Sequence, residues 1–366
     1  MEIRLGAENL QKALQRVHGI VDRRATMPIL SNVLLEAEDG KLVVTATDLE
    51  VGARSEQSAT VLSAGRAAIP AKHLLDIVRN LPRGELDLRK MENNQVKITS
   101  GKARFRIVGA AAEDFPDLPD LDIDSLVELP GDVLAEMILK TQYAVSTDET
   151  RYNLNGVFLE RKEGVTRMVA TDGHRLAIMG RELGADFNLD RGVIIPRKGL
   201  TEMGRLLGEK PETVGLGFSG TNAIFRVEGL LLVMRLIDGQ FPDYEQVVPE
   251  VAQAAVRINR EEFLSTLKRV RLVSGDKAPS VRLQTGGGVL TVSSENPDLG
   301  EAIEELTVEY EGPDLKVGFN ANYLVDVLSV LTGDQVELNA TDDLSPGIIR
   351  SPEDEGYTAV VMPMRL

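Results

Sequence analysis

The sequence predicts an α+β protein in which one domain is used three times, each copy carrying two helices against a many-stranded antiparallel sheet. Three observations predict it. A closing phrase recurs, as Asp114-Phe115-Pro116-Asp117-Leu118, Gln240-Phe241-Pro242-Asp243-Tyr244 and Met362-Pro363-Met364-Arg365-Leu366. From Phe115 to Phe241 is 126 residues and from Phe241 to Met362 is 121, too long for solenoid repeats and right for whole domains. Ahead of each phrase stands a second landmark: Ile69-Pro70-Ala71-Lys72, Ile195-Pro196-Arg197-Lys198 and Phe319-Asn320-Ala321-Asn322. Between the landmarks run short alternating or β-branched segments. These set the domains at 1–125, 126–247 and 248–366.

Each copy opens with apolar residues at helical spacing: Ala7 to Val21 (Leu10, Leu14, Val17), Gly131 to Val145 (Leu134, Ile138, Tyr143) and Arg260 to Val273 (Phe263, Leu267, Val270). Strands follow at Leu42 to Thr47, Val96 to Thr99, Arg104 to Val108, Val165 to Thr171, Val214 to Phe218, Ala223 to Val227, Val289 to Val292, Thr307 to Tyr310 and Val336 to Ala340. The second helix of each copy starts at the Pro or Asn landmark, where a strand ends and a helix begins. Leu74, Leu75, Val78 and Leu81 mark it in the first copy, and Leu324, Val325, Leu328 and Leu331 in the third.

With 366 residues, the chain can bury several cores. It has no cysteine, so disulfides and thiolate metal sites are excluded. The start, Met1-Glu2-Ile3-Arg4, lacks the plan of a signal peptide, and no apolar run approaches a membrane span, so a soluble cytoplasmic protein is expected. The formal charge of −16 opposes nucleic-acid binding taken alone. Bases nevertheless gather on the helices: Lys12, Arg16, Arg23 and Arg24, then Lys72, Arg79 and Arg83, then Arg197, Lys198, Arg205 and Lys210, then Arg260, Lys268, Arg269 and Arg271. Acids crowd the segment from Glu113 to Glu128, which holds seven of them, no base, and Pro116 and Pro119, and so reads as an exposed connector.

Several phrases occur in order along the whole chain: Thr26-Met27-Pro28-Ile29-Leu30, Thr47-Asp48-Leu49-Glu50, Arg151-Tyr152-Asn153-Leu154-Asn155-Gly156, Ala170-Thr171-Asp172-Gly173-His174-Arg175-Leu176, Phe241-Pro242-Asp243-Tyr244 and the terminal Val361-Met362-Pro363-Met364-Arg365-Leu366. In these the chain resembles the bacterial DNA polymerase III beta subunit family, the β sliding clamps. The resemblance implies three DNA-clamp domains, a homodimer closed head-to-tail into a ring of six domains, helices lining the hole and sheets outside. It implies a processivity factor that encircles double-stranded DNA without sequence specificity, with no cofactor and no catalysis. Basic inner helices and an acidic exterior fit that arrangement, since phosphate contacts carry no sequence information.

Carried over position by position, the resemblance assigns DNA contact to Arg24, Lys72, Tyr152, Arg197 and Lys198. It assigns a pocket for a short partner peptide to Leu154, Thr171, Gly173, His174, Arg175, Leu176, Pro242, Val247, Val360, Met362, Pro363, Met364 and Leu366. The implied partners are replicative and translesion DNA polymerases, an ATP-driven clamp loader, and mismatch-repair and other proteins carrying the same linear motif. Methionine repacks readily around varied apolar side chains. Lys72, Asn153, Gln246 and Pro346 depart from residues frequent in the family. The ring interface is assigned to the edge strand with Arg104, Phe105 and Ile107, meeting Leu272, Val273, Glu301 and Glu304 of the other chain by strand addition.

The residues leave two other readings. Asp172 and His174 could form an acid-base pair, but they sit two apart in an Asp-Gly turn. Three histidines and no cysteine make no metal set of usual spacing, and Gly286-Gly287-Gly288 lacks the Lys-Ser/Thr of a phosphate loop and reads as a hairpin turn. The second alternative is a protein-binding module that uses the terminal pocket without DNA.

Overall fold

The computed structural model describes residues 1–21, 27–119, 123, 126–184, 187, 189, 191–249, 255–275 and 279–365. The first copy runs β1 (Glu2–Gly6), α1 (Ala7–Val17), β2 (Asn32–Glu38), β3 (Lys41–Thr47), β4 (Val51–Ser58), β5 (Thr60–Ser63), β6 (Gly65–Pro70), α2 (Ala71–Arg79), β7 (Glu85–Lys90), β8 (Gln95–Ser100) and β9 (Ala103–Val108). The second runs β10 (Val127–Pro130), α3 (Gly131–Gln142), β11 (Gly156–Lys162), β12 (Val165–Thr171), β13 (Arg175–Arg181), β14 (Val193–Pro196), α4 (Arg197–Leu207), β15 (Thr213–Ser219), β16 (Asn222–Val227) and β17 (Leu230–Arg235). The third runs β18 (Val256–Asn259), α5 (Arg260–Val270), β19 (Ser280–Gly286), β20 (Val289–Asn296), β21 (Gly300–Thr307), β22 (Lys316–Asn320), α6 (Ala321–Val330), β23 (Gln335–Asn339), β24 (Gly347–Arg350) and β25 (Tyr357–Val361). One order of elements is thus repeated, with β5 an addition to the first copy.

Local chemistry explains the joints. β6 ends on Pro70 and β14 on Pro196, and a helix starts at the next residue in each case, because proline has a fixed φ and no N–H to lose at a helix start. In the third copy asparagine takes the place: Asn259 caps α5 by accepting from Glu262 N, and Asn320 caps α6 by accepting from Asn322 N. The helices bury one stripe each, such as Leu10, Leu14 and Val17 on α1 and Phe263, Leu267 and Val270 on α5.

All sheet pairing among the described residues is antiparallel, and two of the four sheets cross the boundaries of the copies. An eight-stranded sheet, β10-β15-β16-β17-β4-β3-β2-β6, joins strands of the first and second copies, with Met234 opposite Val51. A second, β14-β11-β12-β13-β25-β24-β23-β18, joins the second and third, with Val361 opposite Arg175. A five-stranded sheet ends on β9 and a four-stranded sheet on β21. The chain accordingly divides into two compact units, residues 1–135, 185–187 and 198–236, and residues 136–184, 188–197 and 237–366. The central copy contributes strands to both.

Three expectations need correction. The first helix stops at Val17 rather than Val21, and its sequel is a turn. Thr307 to Tyr310 is not a strand: β21 lies earlier, and Glu309 makes only an isolated bridge to Arg257. The helix bases are not all solvent-facing charges. Arg16 is 3 % exposed and is held by Glu209 and by Glu228 at 3.1 Å, while Arg205 pairs with Glu202 and Arg269 with Glu304.

Candidate functional site

Of the residues assigned to the peptide pocket, Thr171 to Leu176 lie on one turn, Val360 on β25 and Met362, Pro363 and Met364 just after it, Leu154 ahead of β11, and Pro242 and Val247 after β17, all in the second unit. After β12 the chain reverses through Thr171-Asp172-Gly173-His174-Arg175. Asp172 Oδ1 accepts from His174 N (2.8 Å) and Arg175 N (3.0 Å), and Thr171 Oγ1 accepts from Gly173 N (3.0 Å) and donates to Arg175 O (2.7 Å). Gly173 sits at φ 88°, where a side chain would be strained. The aspartate is therefore spent on its own backbone. That use, rather than acid-base chemistry, accounts for the Asp-Gly-His phrase. Among the described residues no cluster of His, Asp or Glu could hold a metal ion.

From this turn β13 emerges beside β25. Leu176 lies opposite Val360, and Met362 N donates to His174 O at 2.9 Å. Leu154, Leu176 and Val360 belong to one buried apolar cluster with Val169, Ile194, Ile237, Phe241 and Tyr244. Phe158 stacks flat on Phe241, with centroids 5.0 Å apart. Of the other assigned wall residues, Val247 is 52 % exposed and Met362 40 %, Pro242 is exposed, and Pro363 and Met364 are half-buried. Leu366 lies outside the described residues. A groove of ≈ 1160 Å³ runs alongside, lined by Val165, Ile178, Tyr244, Val248 and Arg350 among others, and contains none of the assigned wall residues.

Arg175 shares the turn but not the apolar face. Strand alternation sends it to the side opposite Leu176. There it bonds Asp172 at 3.1 Å and Asp326, donates to Tyr143 O at 2.6 Å, and lies against the rings of Tyr143 and Tyr323. Burial opposes its charge, but the Asp326 and Asp172 carboxylates outweigh burial and raise its pKa above the ordinary value. The tyrosines around these charges are neutral. Burial, then Glu160, pushes the Tyr244 phenol up to about 12, and burial pushes Tyr143 and Tyr357 up as well.

The residues assigned to DNA contact fall on several elements, Lys72 and Lys198 in the first unit and Tyr152 and Arg197 in the second. Lys72 is exposed on the first turn of α2, Arg197 is exposed at the start of α4, and Tyr152 is 53 % exposed, so it is no core aromatic. Lys198 is partly buried, bonded to the Asp48 carboxylate and, at 3.2 Å, to Ile20 O. Arg24 lies outside the described residues.

The residues assigned to the chain interface are on open edges. On β9 Arg104 and Phe105 are exposed and Ile107 is half-buried; after α5 Leu272 is 74 % exposed and Val273 half-buried; on β21 Glu301 is exposed. Glu304 is already engaged within its chain by Arg269, at 2.6 and 2.8 Å, and by Thr266. Sequence reasoning passed over Phe158, Tyr323 and Asp326. Their partners are distant in the chain, and no local pattern distinguishes them.

Sequence profiles of a single family match nearly all of the chain: DNA polymerase III beta subunit, N-terminal domain at residues 1–119, central domain at 128–243 and C-terminal domain at 245–365. Among full-length relatives, the Beta sliding clamp of Haemophilus influenzae is 37 % identical and that of Pseudomonas aeruginosa 36 %, each alignment covering 100 % of both chains. Among solved structures, a DNA polymerase sliding clamp from Bacillus subtilis superposes with a TM-score of 0.96 at 29 % identity, over 100 % of this chain and 99 % of that one. A sliding clamp from Bartonella birtlesii, bound to griselimycin, superposes with a TM-score of 0.95 at 36 % identity, over 100 % of both chains.

Proposed function

Because this chain belongs to the DNA polymerase III beta subunit family, the bacterial sliding clamps, we propose that two copies close head-to-tail through β9 and β21 around duplex DNA. Each chain docks partner peptides on the Leu176–Val360 cluster. The chain is a DNA sliding clamp and, by family, a non-catalytic processivity factor. The domain limits 1–125, 126–247 and 248–366 and a place on the nucleoid belong to the same proposal.

The observation that supports ring closure best is the pairing rule of the sheets. The last strand of the second copy, β17, pairs with β4 of the first, and the last strand of the third, β25, pairs with β13 of the second. The same rule leaves β9 and β21 each with one open edge. A second chain satisfies both edges. Charge supports the match, since β9 offers Arg104 and Arg106 and β21 offers Glu301 and Glu305.

Within the ring, Lys72, Arg197, Tyr152 and Arg24 are the assigned DNA contacts, and contacts to phosphate carry no sequence information. Lys198, bonded to Asp48, contributes less. Weak contacts suffice, because a closed ring leaves DNA only by opening or by reaching an end. The docked peptide then holds a polymerase at roughly millimolar effective concentration. Replicative and translesion polymerases, the clamp loader and mismatch-repair proteins are the partners this reading implies.

Retention on DNA tests the proposal. After loading, the protein should stay on circular duplex in high salt and slip off once that duplex is cut. A protein that only neutralises phosphates dissociates from both forms as salt rises. Equal loss from circular and linear DNA would refute encirclement.

A further inference from the structure

The turn that frames the docking cluster has a twin in the first unit. Thr47-Asp48-Leu49-Glu50-Val51 makes the same bonds: Asp48 Oδ1 accepts from Glu50 N (2.9 Å) and Val51 N (2.7 Å), and Thr47 Oγ1 accepts from Leu49 N (3.0 Å) and donates to Val51 O (3.1 Å). Leu49 holds φ 79°, matching Gly173 at 88°. The strand beyond also matches. Gly52 lies opposite Val233 as Leu176 lies opposite Val360, and Arg235 N donates to Glu50 O at 2.8 Å as Met362 N does to His174 O at 2.9 Å. The closing phrases correspond as well. Phe115 is buried against Leu34 and Ala68, and Phe241 packs on Phe158 and Ile194, which hold the equivalent positions in the second copy.

One difference between the two places bears on docking. Where the second copy has Leu176, in one buried cluster with Tyr244, the first has Gly52, and the side chain of Leu118 presses onto its bare backbone so closely that a methyl at Gly52 would overlap Leu118 Cδ2. Tyr244 is drawn instead toward the edge of its cluster, where its hydroxyl donates to Glu160 and accepts from Arg167. Leu118 has no polar atom to be drawn away by, so it settles on the floor.

We propose that Leu118 is a built-in occupant of the first copy's counterpart of the docking pocket, an autoinhibitory contact that limits each chain to one peptide site. This rests on the docking reading given above. Leucine is the right filler, because the pocket it imitates takes apolar side chains. Glycine at position 52 is what admits it, since a side chain there would hold Leu118 off the floor.

The test is the number of peptides bound per chain, measured by calorimetric titration with a capped pentapeptide of leucine and phenylalanine. The unsubstituted protein should bind one per chain, and Leu118→Ala should bind two. Gly52→Ala, which displaces Leu118 from the other side, should also raise the number to two. The Leu176→Asp variant removes the ordinary site, so Leu118→Ala combined with it should keep one. A number that stays at one in both Leu118→Ala and Gly52→Ala, with cooperative melting intact, overturns the plug. If Leu176→Asp leaves the unsubstituted protein's single site untouched, the docking reading fails instead, and the difference between Leu118→Ala and the unsubstituted protein still decides the plug.

Discussion

Lys140 is 1 % exposed, and its ammonium is shared between Asp354, equally buried, and Glu136 at 2.8 Å. Two charges taken out of water are sustained mainly by close partners, so removing one is costlier than removing both. Lys140→Met should lower stability by about 3 kcal/mol in urea denaturation, by leaving Asp354 buried with only Arg181 at 3.9 Å, and Lys140→Met with Asp354→Leu should recover most of that loss. A milder case is Glu209, whose bond to Arg16 holds its carboxyl below the ordinary 4.5. The folded form thus binds its proton more weakly than the unfolded chain does. Its contribution is complete above pH 4.5 and is lost as pH falls through the lower folded value. Glu209 is 37 % exposed, so the effect is about 0.5 kcal/mol after solvent screening. Glu209→Gln should flatten the acid limb of a stability-versus-pH curve by that amount and leave stability below the transition unchanged. Neither pair was legible in the sequence. Lys140 and Asp354 are 214 positions apart, and nothing local marks a lysine whose partner lies so far along the chain. Arg175 was half legible: its phrase places it in the turn, but period-two alternation after Gly173 turns it away from Leu176, to brace Tyr143 and Asp326.

Among the elements, β9 and β21 are the sheet edges proposed to join two chains. Arg106→Glu should place like charges on the facing edges and shift the protein toward monomer in sedimentation velocity, and adding Glu301→Arg should restore the dimer. Failure of the second change to rescue would show that the edges meet differently. The interior strands were readable because alternation reports one buried face, as in Leu42, Val44 and Ala46 of β3, all fully buried. β21 escaped for the opposite reason. It reads Gly300-Glu301-Ala302-Ile303-Glu304-Glu305, and an edge strand guarded by acids has no apolar alternation to find. Helix starts were legible to the residue at Pro70 and Pro196, because proline fixes the joint. Helix ends were not, and α1 closes at Val17 although Ile20 and Val21 continue the apolar composition.

For the molecule as a whole, a formal charge of −16 and a family that surrounds a polyanion are reconciled by position. Several helix bases are engaged as internal partners, while others, Lys72 and Lys268 among them, are exposed. The residues proposed for the pocket could be named from the sequence because the turn and the terminal segment are contiguous phrases. Those proposed for the interface offered only one basic strand as a signal. The eight-stranded sheets carry a further consequence. Each is assembled from two copies of the repeat, so the central copy owns no sheet of its own. The sequence can be divided into three, but the hydrogen bonding cannot. A single repeat cut free would expose β4 or β17 along its length, an unpaired edge that invites a second copy of the fragment to add to it.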